Sequence, residues 1–384
     1  MNTNVNRQGR IMYWGAVLWL SAMLSVATAG EKERVGFTIM TMNQQFFTTP
    51  YEQSGELGGS YMGAKGTAAS TVKNPAALGG LSMPVSDIYW LYGKNEGEGG
   101  GTSQTESESI TGWISDEGFY QVIPLKKWRA AIGFGGDYLA TDYNDAPVTD
   151  PSQHGYRFSS AFGIQVLDNL SLGYGLMYLH DHAAWGSIYA PPGSNDANRY
   201  HMVHDSSSWR HRLGMQHSIS GMVRWGVQVD VGYGDGDNRW NGRDPGGDND
   251  LRDYGVRLGG QTDFDRPFKL SCDLDWRHMD VNFGRHSPGI GQNFEAKYAG
   301  DVYRAMFGVE QRLASWLTAQ VGYRYNVYRL DDVCGADGNL EFHTLDGGLR
   351  MPLLDQRLSL EWNMEYSWVA NGDFKNVLSV QYTF

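Results

Sequence analysis

Histidines are the residues of this chain whose spacing alone could do chemistry. His180 and His182 stand at H-x-H, His201 and His204 at H-x-x-H, and His211 follows closely. Imidazoles so spaced can share a Zn²⁺ or Cu²⁺ ion. No cysteine or positioned carboxylate completes the set, so the stretch reads as a wet, histidine-bearing loop and no metal is expected. Asp235-Gly236-Asp237 opens like a calcium loop but fails at Arg239 and at Gly246, where a ligand and the bidentate Glu should stand. The run from Gly59 to Gly66 lacks the Gly-Lys-Ser/Thr of a phosphate loop. His217-Ser218 and His204-Asp205-Ser206 hold parts of a hydrolytic triad, yet nothing in their spacing sets a nucleophile against a base. Cys272 and Cys334 match no metal motif, and the strand assignment below puts them at opposite ends, so no disulfide is expected. No catalytic residue and no cofactor is therefore predicted.

A second set of reactive groups is more orderly. In Leu270–Met279, Ser271, Asp273, Asp275 and Arg277 alternate with Leu270, Cys272, Leu274 and Trp276. In Trp316–Arg329, Thr318, Gln320, Arg324 and Asn326 alternate with Leu317, Ala319, Val321, Tyr323, Tyr325 and Val327. A period of two means strands with one apolar and one polar face. The same parity turns Asp230, Arg257, Arg304, Glu310, Arg350, Glu361 and Glu365 toward the polar side. If the apolar side meets lipid, a charge there costs about 2–4 kcal/mol near the midplane, so these charges must line an interior. Neither sign dominates among Arg257, Asp273, Asp275, Arg304, Glu310 and Arg324, which suits mutual pairing as well as ion selection.

The chain ends carry the same message. Arg7 and Arg10, the apolar run Ile11 to Ala27 and Ala27-Thr28-Ala29 form a signal peptide, with residues 1–29 removed on export. The run is short of the ~18 apolar residues of a spanning helix. At the other end Leu378, Val380, Tyr382 and Phe384 alternate with Val377, Ser379, Gln381 and Thr383. Such a strand, ending on an aromatic carboxylate, looks like the closing strand of a bacterial outer-membrane barrel. Fifty glycines and 13% aromatic residues fit tight turns and interfacial girdles, while a formal charge of -12 excludes nucleic acid as a natural partner.

Turn signals then divide the remainder into strands near 85–92, 110–123, 128–141, 153–166, 169–182, 209–224, 226–235, 251–263, 267–283, 299–313, 315–330, 339–352, 355–369 and 374–384. Fourteen is an even number, as a single-chain bacterial barrel requires. Short links at 124–127, 167–169, 264–266 and 355 alternate with long ones at 94–109, 142–151, 180–208, 236–250 and 284–300. The predicted fold is all-β, a transmembrane antiparallel β-barrel occupying 81–384.

Residues 30–80 do not alternate. They are rich in small residues from Leu57 to Leu78 and contain Asn74-Pro75, a turn or helix-start signal. A segment of this length before the first strand can be accommodated inside a 14-strand barrel. Here the sequence resembles the N-terminal hatch of the FadL family of outer-membrane transporters, with Asn74, Pro75 and Ala76 matching its Asn-Pro-Ala motif. Leu57, Gly58, Tyr61, Gly63 and Gly66 resemble its upstream pattern. The close match covers about twenty residues, the rest being architectural. The resemblance implies a monomeric passive transporter of fatty acids or other hydrophobic compounds, with 30–80 plugging the lumen as a hatch whose shift opens the path. Phe46, Phe47, Tyr61 and Met62 become candidate ligand contacts or plug packing. The family's lateral opening lies at a kink in the third strand, which here holds Gly133, Gly135 and Gly136.

One departure bears on the substrate. The long links are polar, as in Gly236 to Asp250, apart from Trp185, Ile188, Tyr189 and Ala190, which weakens the case for long-chain fatty acid while leaving a hydrophobic or amphipathic ligand. The expected partners are outer-membrane lipids and that ligand. Two rival readings remain open from sequence: a general or solute-selective porin in which 30–80 is an extension or constriction, and a surface receptor.

Overall fold

The computed structural model describes residues 62–64, 66–99, 108–144, 152–189, 198–219, 221–240, 248–262, 268–287, 292–333, 336–355, 357–368 and 373–384. Fourteen strands are present: β1 Val85–Gly99, β2 Glu108–Leu125, β3 Ala130–Asn144, β4 Ser152–Leu167, β5 Leu170–Tyr189, β6 Asn198–Ile219 and β7 Val223–Trp240 in the first half. The second half holds β8 Asp248–Thr262, β9 Phe268–Ser287, β10 Gln292–Ala314, β11 Leu317–Val333, β12 Ala336–Leu353, β13 Leu358–Trp368 and β14 Asp373–Thr383. Each pairs antiparallel with its sequence neighbours, and β1 pairs with β14 from Val85↔Thr383 to Lys94↔Phe374, which closes the barrel. Closure leaves no unpaired sheet edge.

The strands run further than the alternation suggested. β10 has 23 residues and β6 has 22, well beyond the ~9–11 that cross a bilayer. Consequently His201 and His204, expected in a loop, lie on β6, joining His180 and His182 on β5 and His211 on β6, and Asp235-Gly236-Asp237 lies within β7. β6 ends at Ile219 and β7 starts at Val223, so Val223 and Arg224 begin β7 instead of ending β6. Polar hairpins extend because backbone ladders form whatever the side chains are, once register is set. Links at one rim are therefore shorter than predicted, with only 190–197 between β5 and β6.

The opposite rim carries both ends of the barrel and is called here the terminal rim; the other is the far rim. Adjacent turns of the terminal rim are knitted by backbone bonds, Gln165 N to Arg129 O at 2.8 Å, Ser218 N to Asn169 O at 2.8 Å and Thr383 N to Arg357 O at 2.7 Å. Phe384 N donates to Pro84 O at 3.1 Å, so the last residue fastens the seam. Trp128, Trp316 and Phe384 stand exposed along this rim.

Burial is inverted relative to a water-soluble sheet. On β8, Asp253 and Arg257 are buried while Tyr254, Val256 and Leu258 are exposed; on β9, Asp273, Asp275 and Arg277 are buried while Leu274 and Trp276 are exposed. Large apolar side chains cover the outside of both strands because a hydrocarbon solvent reverses the usual sorting. Among the described residues the apolar core lies within the lumen, where Val85, Tyr89, Leu91, Ile114, Tyr120, Val122, Ala131, Leu139, Ala161 and Val377 surround Ala68, Ala69, Val72 and Leu78.

Candidate functional site

Those last four residues belong to an inner segment that precedes β1. Two 3-10 turns, Ala68–Thr71 and Pro75–Gly80, form it. Asn74 caps the second: its Oδ1 accepts from Ala76 N at 3.2 Å, and Pro75 at the first position loses no bond, having no N–H to give. The same side chain donates from Nδ2 to Met62 O at 3.2 Å, folding the segment back on itself. Thr67 N donates to Ser70 Oγ at 3.0 Å, closing the first turn.

The barrel wall is shaped to receive this segment. Inward positions on five consecutive strands are glycine: Gly133, Gly163, Gly173, Gly214 and Gly226. A Cβ at Gly173 would collide with Ala76 N and Pro75 C, one at Gly163 with Pro75 O, and one at Gly133 with Thr71 Oγ1. At Gly226 it would lie 2.8 Å from Met62 O, and at Gly214 3.0 Å from Asn74 Oδ1. Only a missing side chain lets backbone approach backbone so closely. Gln216 completes the seat by donating to both Met62 O and Ala64 O, each at 2.8 Å. The turns contact β1 to β6, and Met62–Ala64 reaches the wall of β6 to β8.

Toward the far rim the lumen carries a belt of charge. Every strand from β2 to β13 supplies at least one buried charged side chain: Asp116, Asp137, Arg157, Asp181, Arg210, Asp230, Asp253, Arg277, Arg304, Arg324, Asp346 and Glu365, none of these more than 7% exposed, while Asp87 of β1 lies nearer the terminal rim. Arg157 pairs with Asp137 through Nε and with Asp116 at 2.8 Å, beneath Tyr120, which bonds Asp137, and Tyr89, which bonds Asp116 at 3.2 Å. Arg210 meets Asp253 at 2.7 Å, and Arg277 reaches Asp230 at 3.2 Å and Asp253 at 3.6 Å. Asp275 holds Arg257 at 3.1 Å and Arg304 at 3.6 Å; Arg324 holds Asp346 at 3.2 Å and Glu365 at 3.1 Å, with Lys375 of β14 beyond. Opposite charges buried together offset one another, but carboxylates outnumber guanidiniums here, so pairing cancels most of the wall's charge and leaves it net acidic.

One inward position beyond the belt the side chains turn apolar. Ile114, Leu139, Leu251, Met279 and Val302 each stand two residues farther toward the far rim than Asp116, Asp137, Asp253, Arg277 and Arg304. Sequence reasoning passed over this collar; its signal was an apolar residue on the charged parity of five strands.

A third group closes the terminal rim across from the inner segment. Glu310 on β10 binds Lys269 at 2.8 Å and Arg350 at 3.2 Å, and Arg350 Nε also donates to Glu361 at 2.9 Å. Gln320 and Asn363 donate to the other oxygen of Glu361 at 2.9 and 3.0 Å.

The structure therefore places the sequence candidates in three different settings. Asn74, Pro75 and Ala76 form the capped turn on the glycine seat; Met62 packs on Gly226, fully buried. Phe46, Phe47 and Tyr61 lie outside the described residues. Arg257, Asp273, Asp275, Arg304 and Arg324 are buried wall charges, and Glu310 belongs to the terminal-rim group. At Gly133, Gly135 and Gly136 the register runs unbroken from Leu125↔Ala130 to Thr111↔Asn144 on one side and from Ala130↔Ile164 to Asp142↔Ser152 on the other. Instead of a bulge, Gly133 admits Thr71, Gly135 admits the Tyr120 ring and Gly136 admits the Arg157 carbonyl. Among the described residues no group of three or more His, Cys, Asp or Glu is arranged to hold a metal ion. His182 pairs with Asp205, and its ring lies 4.8 Å from that of His154 on the outer surface. Cys272 is a free thiol on the outer face of β9, and Cys334 lies outside the described residues.

No family model and no curated protein matches the sequence. Solved structures do match. A FadL homologue of Pseudomonas aeruginosa superposes with a TM-score of 0.61 at 14% identity, covering 88% of this chain and 98% of its own. A mutant of TodX, a monoaromatic hydrocarbon channel, gives 0.62 at 14% identity, covering 85% and 97%. The Ralstonia pickettii toluene transporter TbuX gives 0.53 at 14% identity, covering 86% and 99%. A 14-strand closed barrel with an internal N-terminal segment, alike over nearly the full length of each of these proteins, has the fold of the FadL-type outer-membrane channels.

Proposed function

We propose that this protein is a passive outer-membrane transporter of hydrophobic or amphipathic small molecules, residues 30–80 acting as a hatch that closes the barrel 81–384. The observation that carries the reading is the glycine seat: five strands give up inward side chains to hold Met62–Gly80 inside the lumen. A wall built for a plug suits a channel that must not leak water or ions. The paired belt adds to this, since wall charges buried to 7% exposure or less do not line a wet electrolyte path as a porin's do.

On this reading residues 1–29 direct export and are removed, the terminal rim faces the periplasm and outer-membrane lipids surround a monomer. The solute reaches the lumen from the far rim, where Ile114, Leu139, Leu251, Met279 and Val302, buried to 3% exposure or less in the closed barrel, supply apolar contact once it enters between them. Entry needs no nucleotide, and the protein has no enzymatic role. Relatives in fold are described as toluene or monoaromatic hydrocarbon channels, which makes a neutral aromatic the first ligand to try.

The test is uptake of toluene and of a fluorescent naphthylamine by proteoliposomes holding the mature chain, alongside potassium chloride conductance in a planar bilayer. Selective uptake over a silent baseline is expected. A steady pore that passes salt and sugar without favouring hydrophobic probes would replace the transporter with a porin.

A further inference from the structure

The outward face of β4 to β7 changes character row by row toward the far rim. Cross-strand register sets Phe162, Tyr174, Leu213 and Val229 side by side on its apolar part. Two outward rows farther along stand Phe158, Tyr178, Trp209 and Tyr233, one ring from each strand. The next row is Tyr156, His180, Ser207 and Asp235, and the one after it His154, His182, Asp205 and Asp237. The ring row is bounded in register by Gly136 on β3 and Arg252 on β8, so it covers three strand spacings, about 14 Å of wall.

The rings form one tilted surface. Tyr178 and Trp209 lie 4.8 Å apart, and Tyr156 lies 5.8 Å from Phe158 and 6.5 Å from Tyr178. Phe158, Trp209 and Tyr233 are 59%, 39% and 51% exposed, so their faces are open to a neighbour. The polar rows are held by their own bonds. His180 Nδ1 meets Ser207 Oγ at 3.1 Å, the Tyr178 hydroxyl meets the same oxygen at 3.2 Å, and His182 Nδ1 pairs with Asp205. These bonds use Nδ1 of each imidazole and leave Nε2 as the ring's second donor or acceptor. Asp235 and Asp237 stand exposed, and neither polar row holds a lysine or arginine.

An occupant must match three bands at once: hydrocarbon, a rigid body with C–H faces, and hydroxyl groups. Aromatic faces carry the negative side of a quadrupole, which attracts polarised C–H groups. A phosphate head would meet carboxylates with no cation among them and be repelled. A sugar fits the outer two bands, because its ring offers C–H faces and its hydroxyls donate to carboxylate and imidazole. Side chains already fixed by their own bonds lose little freedom on binding it.

We propose that this patch docks the sugar head of an outer-leaflet glycolipid, whose acyl chains lie along the apolar rows below. The unbroken passage from polar rows to lipid-facing wall selects a lipid over a free sugar. The orientation is that of the reading above, with the terminal rim in the periplasm; the docking does not depend on what the lumen carries.

The mature chain is placed in phosphatidylcholine nanodiscs doped with diglucosyl diacylglycerol or with phosphatidylglycerol. EDTA is present, so that no divalent cation bridges a head to a carboxylate. Native mass spectrometry then counts the lipid retained per barrel. The glucosyl lipid should be retained in preference, and Tyr178→Ala with Trp209→Ala should weaken its retention about tenfold, the value of two ring contacts. Phe307→Ala with Trp362→Ala, exposed rings elsewhere on the wall, should leave it unchanged. Asp235→Asn with Asp237→Asn, at exposed positions that leave the fold intact, should lower retention of the glucosyl lipid and raise that of phosphatidylglycerol. Preference for phosphatidylglycerol, or glucosyl-lipid retention that neither patch variant alters, would overturn the proposal. Free maltose held as strongly as the lipid would overturn it in favour of a soluble sugar. Uptake measurements report on the lumen alone, so failure of the transport reading would leave this result standing.

Discussion

At the residue scale, two glycines and two arginines separate seat from surface and belt from rim. Gly173→Val would push a side chain into Pro75 and Ala76, and overpacking of this kind typically costs about 1–3 kcal/mol. Gly80→Ala, whose Cβ would meet nothing within 4 Å, should stay within ~0.5 kcal/mol of the parent in the same urea titration of the folded barrel. Among the arginines, Arg277→Ala removes one of two cations from each of the buried Asp230 and Asp253, which keep Arg212 and Arg210, and should cost about 1–3 kcal/mol. Arg129→Ala breaks the pair with Asp168, whose side chains are 49% and 94% exposed, and should cost under ~1 kcal/mol. Equal effects of the two would mean that the belt is not dry. The histidines show how residue type misleads without an element beneath it. His180 and His182 were spaced for a metal, yet on β5 they point outward, His180 to Ser207 at 3.1 Å and His182 to Asp205.

At the scale of elements, the inner segment depends on one cap. Asn74→Ala removes both the bond to Ala76 N and the bond to Met62 O, and should destabilise by about 1–3 kcal/mol, a loss visible as faster proteolysis within 62–80. Asn74→Asp keeps the acceptor and loses the donor, so it should fall between alanine and the parent. Susceptibility equal to that of alanine would show that the Met62 bond alone holds the turn. β3 makes the complementary point. Three glycines in one strand read as a site for a kink, but a strand cannot show from its own sequence what lies across from it. Thr71, Tyr120 and the Arg157 backbone occupy the spaces those glycines leave, and both ladders continue past them.

At the scale of the whole molecule, the barrel is held by an inverted sorting of side chains. Leu274 faces outward, 52% exposed, between inward Asp273 and Asp275. Leu274→Arg should therefore cost about 2–4 kcal/mol when folding is measured in a lipid bilayer. In a detergent micelle the same change should cost less. A similar cost in both would place that face elsewhere than in hydrocarbon. The short turns of the terminal rim and the seam bond from Phe384 to Pro84 make closure a property of the two chain ends together.

Much of this architecture was legible because a strand's period of two acts on every residue and a membrane penalises each misplaced charge. Those two facts are local, so the count of fourteen strands, the inward turn of Asp273, Arg277 or Arg324 and the existence of a non-alternating segment before β1 could all be read from the chain. Strand ends were less readable: once a hairpin is in register its backbone bonds continue into polar sequence, and β5 and β6 absorbed residues that looked like a loop. What only the tertiary structure decided is pairing across strands far apart in sequence. Arg210 finds Asp253, Asn74 finds Met62 against Gly214, and Arg350 reaches Glu310, because closing the barrel sets β6 near β8 and β10 near β12. A glycine in the chain is silent about its neighbour; the seat appears only when five of them face one capped turn.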